Sequence, residues 1–199
     1  MSSISSTNNS IFEKLLQSGD SRLHTFESGK YLYLPSNAPQ HVFVLHKGAV
    51  KVGSYAPSGK EVMYDCVMPG EFFGDLQLLD DTFFTEFAKA LVKAEVVMIP
   101  IQSFKKLIRS DNSLNDWFNE IATRRWCRAE TRLFRISAEK PLDRILHLLP
   151  LLSQTISDAD SRRFELLQLL SYQDMADLCG ISRQSAARLL KECLAESQS

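Results

Sequence analysis

Between His24 and Pro100 the apolar residues fall in short runs broken by turn chemistry. Ser28-Gly29, Lys47-Gly48, Pro57-Ser58-Gly59-Lys60 and Pro69-Gly70 separate stretches rich in Val, Tyr, Phe and Leu, and this regular punctuation predicts short antiparallel strands. Over 61–68, Val62, Tyr64, Cys66 and Met68 alternate with Met63, Asp65 and Val67, a period of two with apolar positions on both faces. Many short strands of this kind predict a roll, barrel or sandwich.

After Pro100 the period changes. Ser103 to Ile136 contains neither Gly nor Pro, and Leu114, Phe118, Ala122, Trp126, Ala129, Leu133 and Ile136 step by three or four residues, which draws one stripe down a long helix. Near-heptad spacing over several turns is what a two-chain seam requires, so these seven residues, apart from Leu114, are the expected dimer contact. The alternative is a lone amphipathic helix packed on its own β-domain. Arg124, Arg125, Arg128, Arg132 and Arg135 flank the stripe and are expected in solvent or against acidic groups of a neighbouring chain. Ser137 is placed as an N-cap with Glu139 in the first turn and Pro141 early in the helix, followed by an apolar helix over 142–152 and a polar loop over 153–163.

Residues 171–191 read as a helix, a turn and a second helix. Ser171 with Asp174 forms a capping-box-like start, Ala176 is small where two helices would cross, Gly180 supplies the turn and Ser182 caps the second helix. Ile181, Ala186, Leu189 and Leu190 make its buried side, whereas Arg183, Gln184, Ser185, Arg188 and Lys191 share the other. In a helix-turn-helix the second helix enters the major groove. Arg183 and Arg188 suit guanine O6 and N7, and Gln184 suits adenine N6 and N7; Ser171, Ser185 and Lys191 suit phosphates. The bland alternative is a helical hairpin with a solvated polar face.

Composition narrows this only slightly. The chain is 44% hydrophobic and 24% charged with a net charge of −1, so DNA affinity must come from a local patch rather than overall basicity. Residues 1–100 hold 8 Lys/Arg against 11 Asp/Glu and residues 101–199 hold 15 against 13. Ser2 to Ser10 has no signal-peptide character and no apolar run reaches membrane-spanning length; a cytoplasmic protein with no membrane partner is expected. Cys66, Cys127, Cys179 and Cys193 are widely spaced and are expected to be reduced and mostly buried.

Taken together, the segments 26–30, 43–48, 58–61 and 69–75, with Ser-Arg-Gln-Ser-Ala-Ala-Arg at 182–188, resemble the Crp/Fnr family of bacterial transcription regulators over nearly the whole chain. The resemblance implies an α+β protein: an N-terminal segment over 1–21, partly helical; an antiparallel cyclic-nucleotide-binding-like β-roll (jelly roll) over 22–100; linking and dimerisation helices over 101–136; and a helical helix-turn-helix domain over 137–199. It implies a homodimer on a palindromic DNA site, with RNA polymerase as a further partner. Three departures stand out. Gln184 stands where the family commonly has Glu, so the base read there should differ. Thr85-Glu86 stands where cyclic-AMP-binding members carry Arg-Ser, replacing a cation with an anion, so cyclic nucleotide binding is not expected. The sequence ends at Ser199, so no C-terminal wing is expected, which would lower DNA affinity and its salt dependence.

Other chemistry finds little footing. His24, His41, His46 and His147 lack the H-x-H spacing of a cupin metal site; a cupin-type metalloenzyme is the third reading, and no metal or cofactor is expected. An iron–sulfur sensor would need clustered N-terminal cysteines. No catalytic constellation appears, and no enzyme is expected. Phe72, Phe73, Phe83, Phe84 and Phe87 either fill a core or, with Gly74, Asp75, Thr85 and Glu86, line an effector pocket. The runner-up function is a small-ligand-sensing or protein-interaction module with weakened DNA binding, favoured by the even balance of 5 Lys/Arg and 5 Asp/Glu over 162–199.

Overall fold

The computed structural model describes residues 10–17, 19–35, 40–75 and 85–196. A short helix α1 (residues 10–16) precedes eight strands: β1 (Arg22–Phe26), β2 (Tyr31–Tyr33), β3 (His41–Lys47), β4 (Val50–Tyr55), β5 (Glu61–Val67), β6 (Phe72–Phe73), β7 (Glu86–Ala90) and β8 (Ala94–Pro100). They form two antiparallel four-stranded sheets, ordered β1-β8-β3-β6 and β2-β7-β4-β5. The core between them contains Tyr33, Phe43, Leu45, Val52, Phe73 and Val96. Val42, Val44, Phe72, Val97 and Ile99 instead join a second core beneath the helices. Because neighbours in a strand point to opposite faces, β3 and β8 are buried on both sides and read as nearly continuous apolar runs.

Close approach fixes one glycine. A Cβ on Gly53 would stand 2.3 Å from the Val62 carbonyl oxygen and 2.6 Å from Phe87 Cζ, so the two strands and the ring leave room for hydrogen only.

The helical half begins with α2 (Ile101–Ser110) and α3 (Asn112–Ala138). The apolar pattern runs unbroken across them, yet Asp111 separates the two: it is extended, and its carboxylate accepts from the Ser113 and Leu114 amides, capping α3. Trp117 donates its indole N–H to the Gly70 carbonyl at 3.0 Å, tying α3 to the roll.

Two expectations downstream require correction. Ser137 does not start a helix; it lies inside α3, where its hydroxyl donates to the Leu133 carbonyl. The break falls at Glu139 and Lys140, and α4 (Pro141–Leu152) opens on Pro141. The stretch over 153–163 is not simply a loop. Most of it belongs to a hairpin of β9 (Thr155–Ser157) and β10 (Arg163–Glu165), closed by the buried Asp158 accepting from the Arg162 backbone and guanidinium. The chain continues through α5 (Leu166–Leu169), α6 (Tyr172–Cys179) and α7 (Arg183–Glu196).

Candidate functional site

The second helix pair is built by local chemistry. The Ser171 hydroxyl accepts from the Asp174 amide while the Asp174 carboxylate accepts from the Ser171 amide, a complete capping box. Gly180 ends α6 in the left-handed region at φ 63°, and its position packs 3.1 Å, by an added Cβ, from Ile136 at the end of α3. The Ile181 amide then donates to the Ala176 carbonyl, and Ser182 caps α7 by accepting from the Ser185 amide. Ala186, Leu189, Leu190 and Cys193 are buried against α4 and α6.

This leaves Arg183, Gln184, Arg188 and Lys191 exposed within one arc of α7, since steps of one, four and three residues stay on one side of a helix. Arg188 pairs with Glu192 at 3.0 Å, one turn on, whereas Arg183 and Gln184 border an open cleft with Tyr172, Ser182 and Ala187. The hydroxyls of Ser171 and Ser182 are committed to caps, and that of Ser185 lies 2.9 Å from Ser182 Oγ. Tyr172 was not singled out from sequence. Its signal is an exposed aromatic in the first turn of α6, directly beside Arg183.

Of the five arginines of α3, Arg124 is exposed as expected, but Arg125 and Arg128 depart from the expectation of solvent or a neighbouring chain. Arg125 bonds Asp65 through two nitrogens at 2.9 and 3.1 Å and the Phe72 carbonyl at 2.6 Å, and Arg128 reaches both Asp65 and Glu71. They fasten α3 to its own roll. Although burial alone would make Arg128 easier to deprotonate, the two carboxylates outweigh it and hold the charge. Of the stripe named for dimerisation, Phe118 stacks on Phe72 and, with Ala122, packs against the helical core, while Ile136 faces Gly180. Trp126, Ala129 and Leu133 stay exposed, Trp126 and Leu133 at 67% each.

The residues suggested as an effector pocket are brought together only in part: Phe73, Gly74 and Glu86 gather around Tyr33 and Phe43, whereas the others lie elsewhere. Phe72 joins Trp117 and Phe118, Phe73 joins Phe43 between the sheets, and Phe87 packs against Tyr31 and Tyr55. Adjacent residues of one strand cannot line one space. Gly74 lies against Phe43, Asp75 follows it, and Thr85 is exposed with its carbonyl accepting from Ser54. Phe83 and Phe84 lie outside the described residues. Glu86 accepts hydrogen bonds from the hydroxyls of Tyr33 and Tyr64, and burial together with this carboxylate pushes both phenols up.

The helix pair is also clasped to the roll. Lys51 of β4 meets Asp174 at 2.8 Å, Lys60 meets Asp177 at 3.5 Å, and Asp177 accepts from the Met63 amide at 3.1 Å. At the hairpin, Gly48 donates to the Ser157 carbonyl, Ala159 donates to the Lys93 carbonyl, and Lys93 pairs with Asp160. Cys66, Cys179 and Cys193 are buried and Cys127 is exposed, none in a disulfide. Among the described residues no group of three or more His, Cys, Asp or Glu is arranged to hold a metal ion, and no helix is long and apolar enough to cross a membrane.

Residues 23–111 match the family model of the cyclic nucleotide-binding domain. The chain is similar to the global nitrogen regulator of Synechococcus elongatus, 24% identical over 173 residues that span 85% of this chain and 77% of the relative. It is similar also to the cyclic AMP receptor protein of Thermus thermophilus, 26% identical over 166 residues spanning 83% and 73%. Among solved structures, the c-di-GMP-responsive global regulator CLP of Xanthomonas campestris superposes with a TM-score of 0.71 at 17% identity, covering 95% of this chain and 93% of the other. A CRP-family transcriptional regulator of Thermus thermophilus superposes with a TM-score of 0.68 at 19% identity, covering 87% and 85%. At these identities the structural likeness is one of fold.

Proposed function

We propose that this Crp/Fnr-type DNA-binding transcription regulator, with its cyclic nucleotide-binding-type β-roll, reads a palindromic site as a homodimer, with α7 in the major groove. One observation carries the reading: Arg183, Gln184, Arg188 and Lys191 stand exposed on one arc of a helix whose other side is fully packed. Arg183 and Gln184, at the N-terminal end, reach base edges, and Lys191 meets the backbone. Tyr172 joins them as a backbone contact at the mouth of the cleft.

The homodimer forms through Trp126, Ala129 and Leu133, which lie along one side of α3 and would be expensive to leave in water. Two-fold symmetry then sets the recognition helices roughly 34 Å apart, one turn of DNA. The protein acts in the cytoplasm on promoters served by RNA polymerase, as a regulator rather than an enzyme. It works without a cyclic nucleotide. Glu86, held by Tyr33 and Tyr64, supplies an anion where a cyclic phosphate would need a cation.

Selection of bound DNA from a random library, run beside the Arg183→Ala/Arg188→Ala double variant at two salt concentrations, tests the reading. The expected result is a palindromic motif that disappears in the variant. Absence of enrichment over the variant, even at low salt, overturns DNA reading by α7. A ligand-sensing or protein-interaction role, favoured by the even charge balance of 162–199, would then take its place.

A further inference from the structure

Where α3 leaves the roll and the C-terminal helices fold back beside it, the chain encloses a partly open cavity of about 430 Å³. Cavities of this size, roughly 300 to 1,000 Å³, are those that hold small ligands. Five arginines line it: Arg124, Arg128, Arg132 and Arg135 of α3, and Arg144 of α4. The α3 residues follow one another by four, four and three positions and so stack on one helical face. Across from them Leu148, Leu151 and Leu152 of α4 and Leu178 of α6 make an aliphatic wall, with His147 of α4 and Asp65 of the roll also in the lining.

Four of the arginines have other work. Arg124 pairs with Glu120, Arg128 with Asp65 and Glu71, and Arg135 with Glu139. Arg144 donates to the carbonyls of Glu139, Cys179 and Gly180. Arg132 is the exception. It is half-buried, yet among the described residues no carboxylate or carbonyl accepts from it. Burial, together with the neighbouring Arg128, makes its proton easier to lose, against a weaker opposing pull from Asp65. The adjacent Arg128 Nε is buried and has no acceptor either. The Arg128 Nε is the buried donor left unmade, which is costly on a charged group, whereas the Arg132 guanidinium opens on the cavity with no protein acceptor among the described residues. The cavity therefore sets a guanidinium without a protein acceptor, Arg132, beside a group of leucines.

We propose that this cavity is a binding site for a small amphiphilic anion, whose carboxylate or phosphate head is held by Arg132 and whose aliphatic body lies against Leu148, Leu151 and Leu178. A phosphate of a nucleic-acid backbone, with no apolar body, would leave the leucine wall unused. Glu86 does not line this cavity. Its walls join α3, which Arg125 and Arg128 fix to the roll, to α4 and α6 of the DNA-reading half, so an occupant changes how firmly the two halves hold together. That regulatory consequence rests on the function proposed above; the binding itself does not.

Calorimetric titration of the full-length protein with octanoate, octyl phosphate and 1-octanol, in the absence of DNA, tests it. Saturable binding of at least one anion at one per chain is expected, with 1-octanol at least tenfold weaker. Whichever anion binds tighter identifies the head. Arg132→Met and, separately, Leu151→Gln are each expected to weaken that anion at least tenfold, with Arg22→Met unchanged. The Leu151→Gln arm keeps the test decisive should Arg132→Met fail to fold. Equal binding of 1-octanol, unchanged affinity in the folded variants, or no saturable binding of either anion overturns the proposal. Because no DNA is present, failure of α7 to read DNA leaves this result untouched, and the reverse holds for the library selection.

Discussion

Replacing Asp174 by alanine removes one residue from two structures at once. Asp174 is 5% exposed and its carboxylate accepts from the Ser171 amide, the Ser171 hydroxyl and the Lys51 ammonium. The side chain of Lys51 is itself only 15% exposed. Removing one partner of a buried ion pair costs about 3–5 kcal/mol, because the other charge is left without compensation, and losing a helix cap adds about 1 kcal/mol. The two losses overlap, so about 4 kcal/mol is expected. For a chain of this length a change of 1 kcal/mol moves the melting temperature by roughly 2–4 °C, which places the Asp174→Ala shift near ~10 °C. Lys51→Met should cost less, about 1–2 kcal/mol, since Asp174 keeps both Ser171 donors. The double variant should recover part of the loss, because the stranded ammonium has gone. Urea denaturation followed by circular dichroism on the four proteins closes the cycle. A loss under about 1 kcal/mol for Asp174→Ala, or costs that add within about 0.5 kcal/mol, would refute the argument that this contact is a buried, coupled clasp.

Acid should act on the same group. Burial works to raise the Asp174 carboxyl, but Lys51 and Ser171 outweigh it and hold it below the ordinary carboxylate range. Its stabilisation is thus present above about pH 4 and lost as pH falls through the depressed value; urea midpoints measured downward from pH 5 should fall more steeply for the wild type than for Asp174→Asn. Trp126→Glu/Leu133→Glu places charges on the exposed side of α3 and should convert the proposed dimer to monomer in sedimentation analysis with the circular dichroism spectrum retained; an intact dimer would move the contact elsewhere.

The parts of the fold legible in sequence are those fixed by neighbours along the chain. Gly-containing turns punctuate the roll, and Ser171, Gly180 and Ser182 mark the ends of α6 and α7 within twelve residues. Misreadings arise where one local pattern serves two structures. A serine two residues before a glutamate fits a helix start, but a serine hydroxyl can equally bond back to a carbonyl four residues earlier, which is what Ser137 does. Asp111 interrupts a helical period without Gly or Pro, leaving only its capping chemistry as a sign. The three-residue strands of the hairpin are too short for a period to show. Long-range pairing is invisible for a different reason: Arg125 and Asp65 are 60 positions apart, and nothing in either neighbourhood announces the other. The cavity likewise draws on segments of the roll, α3, α4 and α6, and only folding assembles it.

The C-terminal half does not own its core. Met175, Leu178, Leu189 and Ile145 pack in one cluster with Ala49, Met63, Cys66 and Val92 of the roll. The roll and the helix pair are therefore not interchangeable cassettes. A chimera joining this helix pair to another roll at the α3–α4 junction would meet a surface cut for different side chains. Drift in sequence on either half is bound to the other: those four roll residues would have to travel with the helices, as if they belonged to the segment a hundred positions downstream.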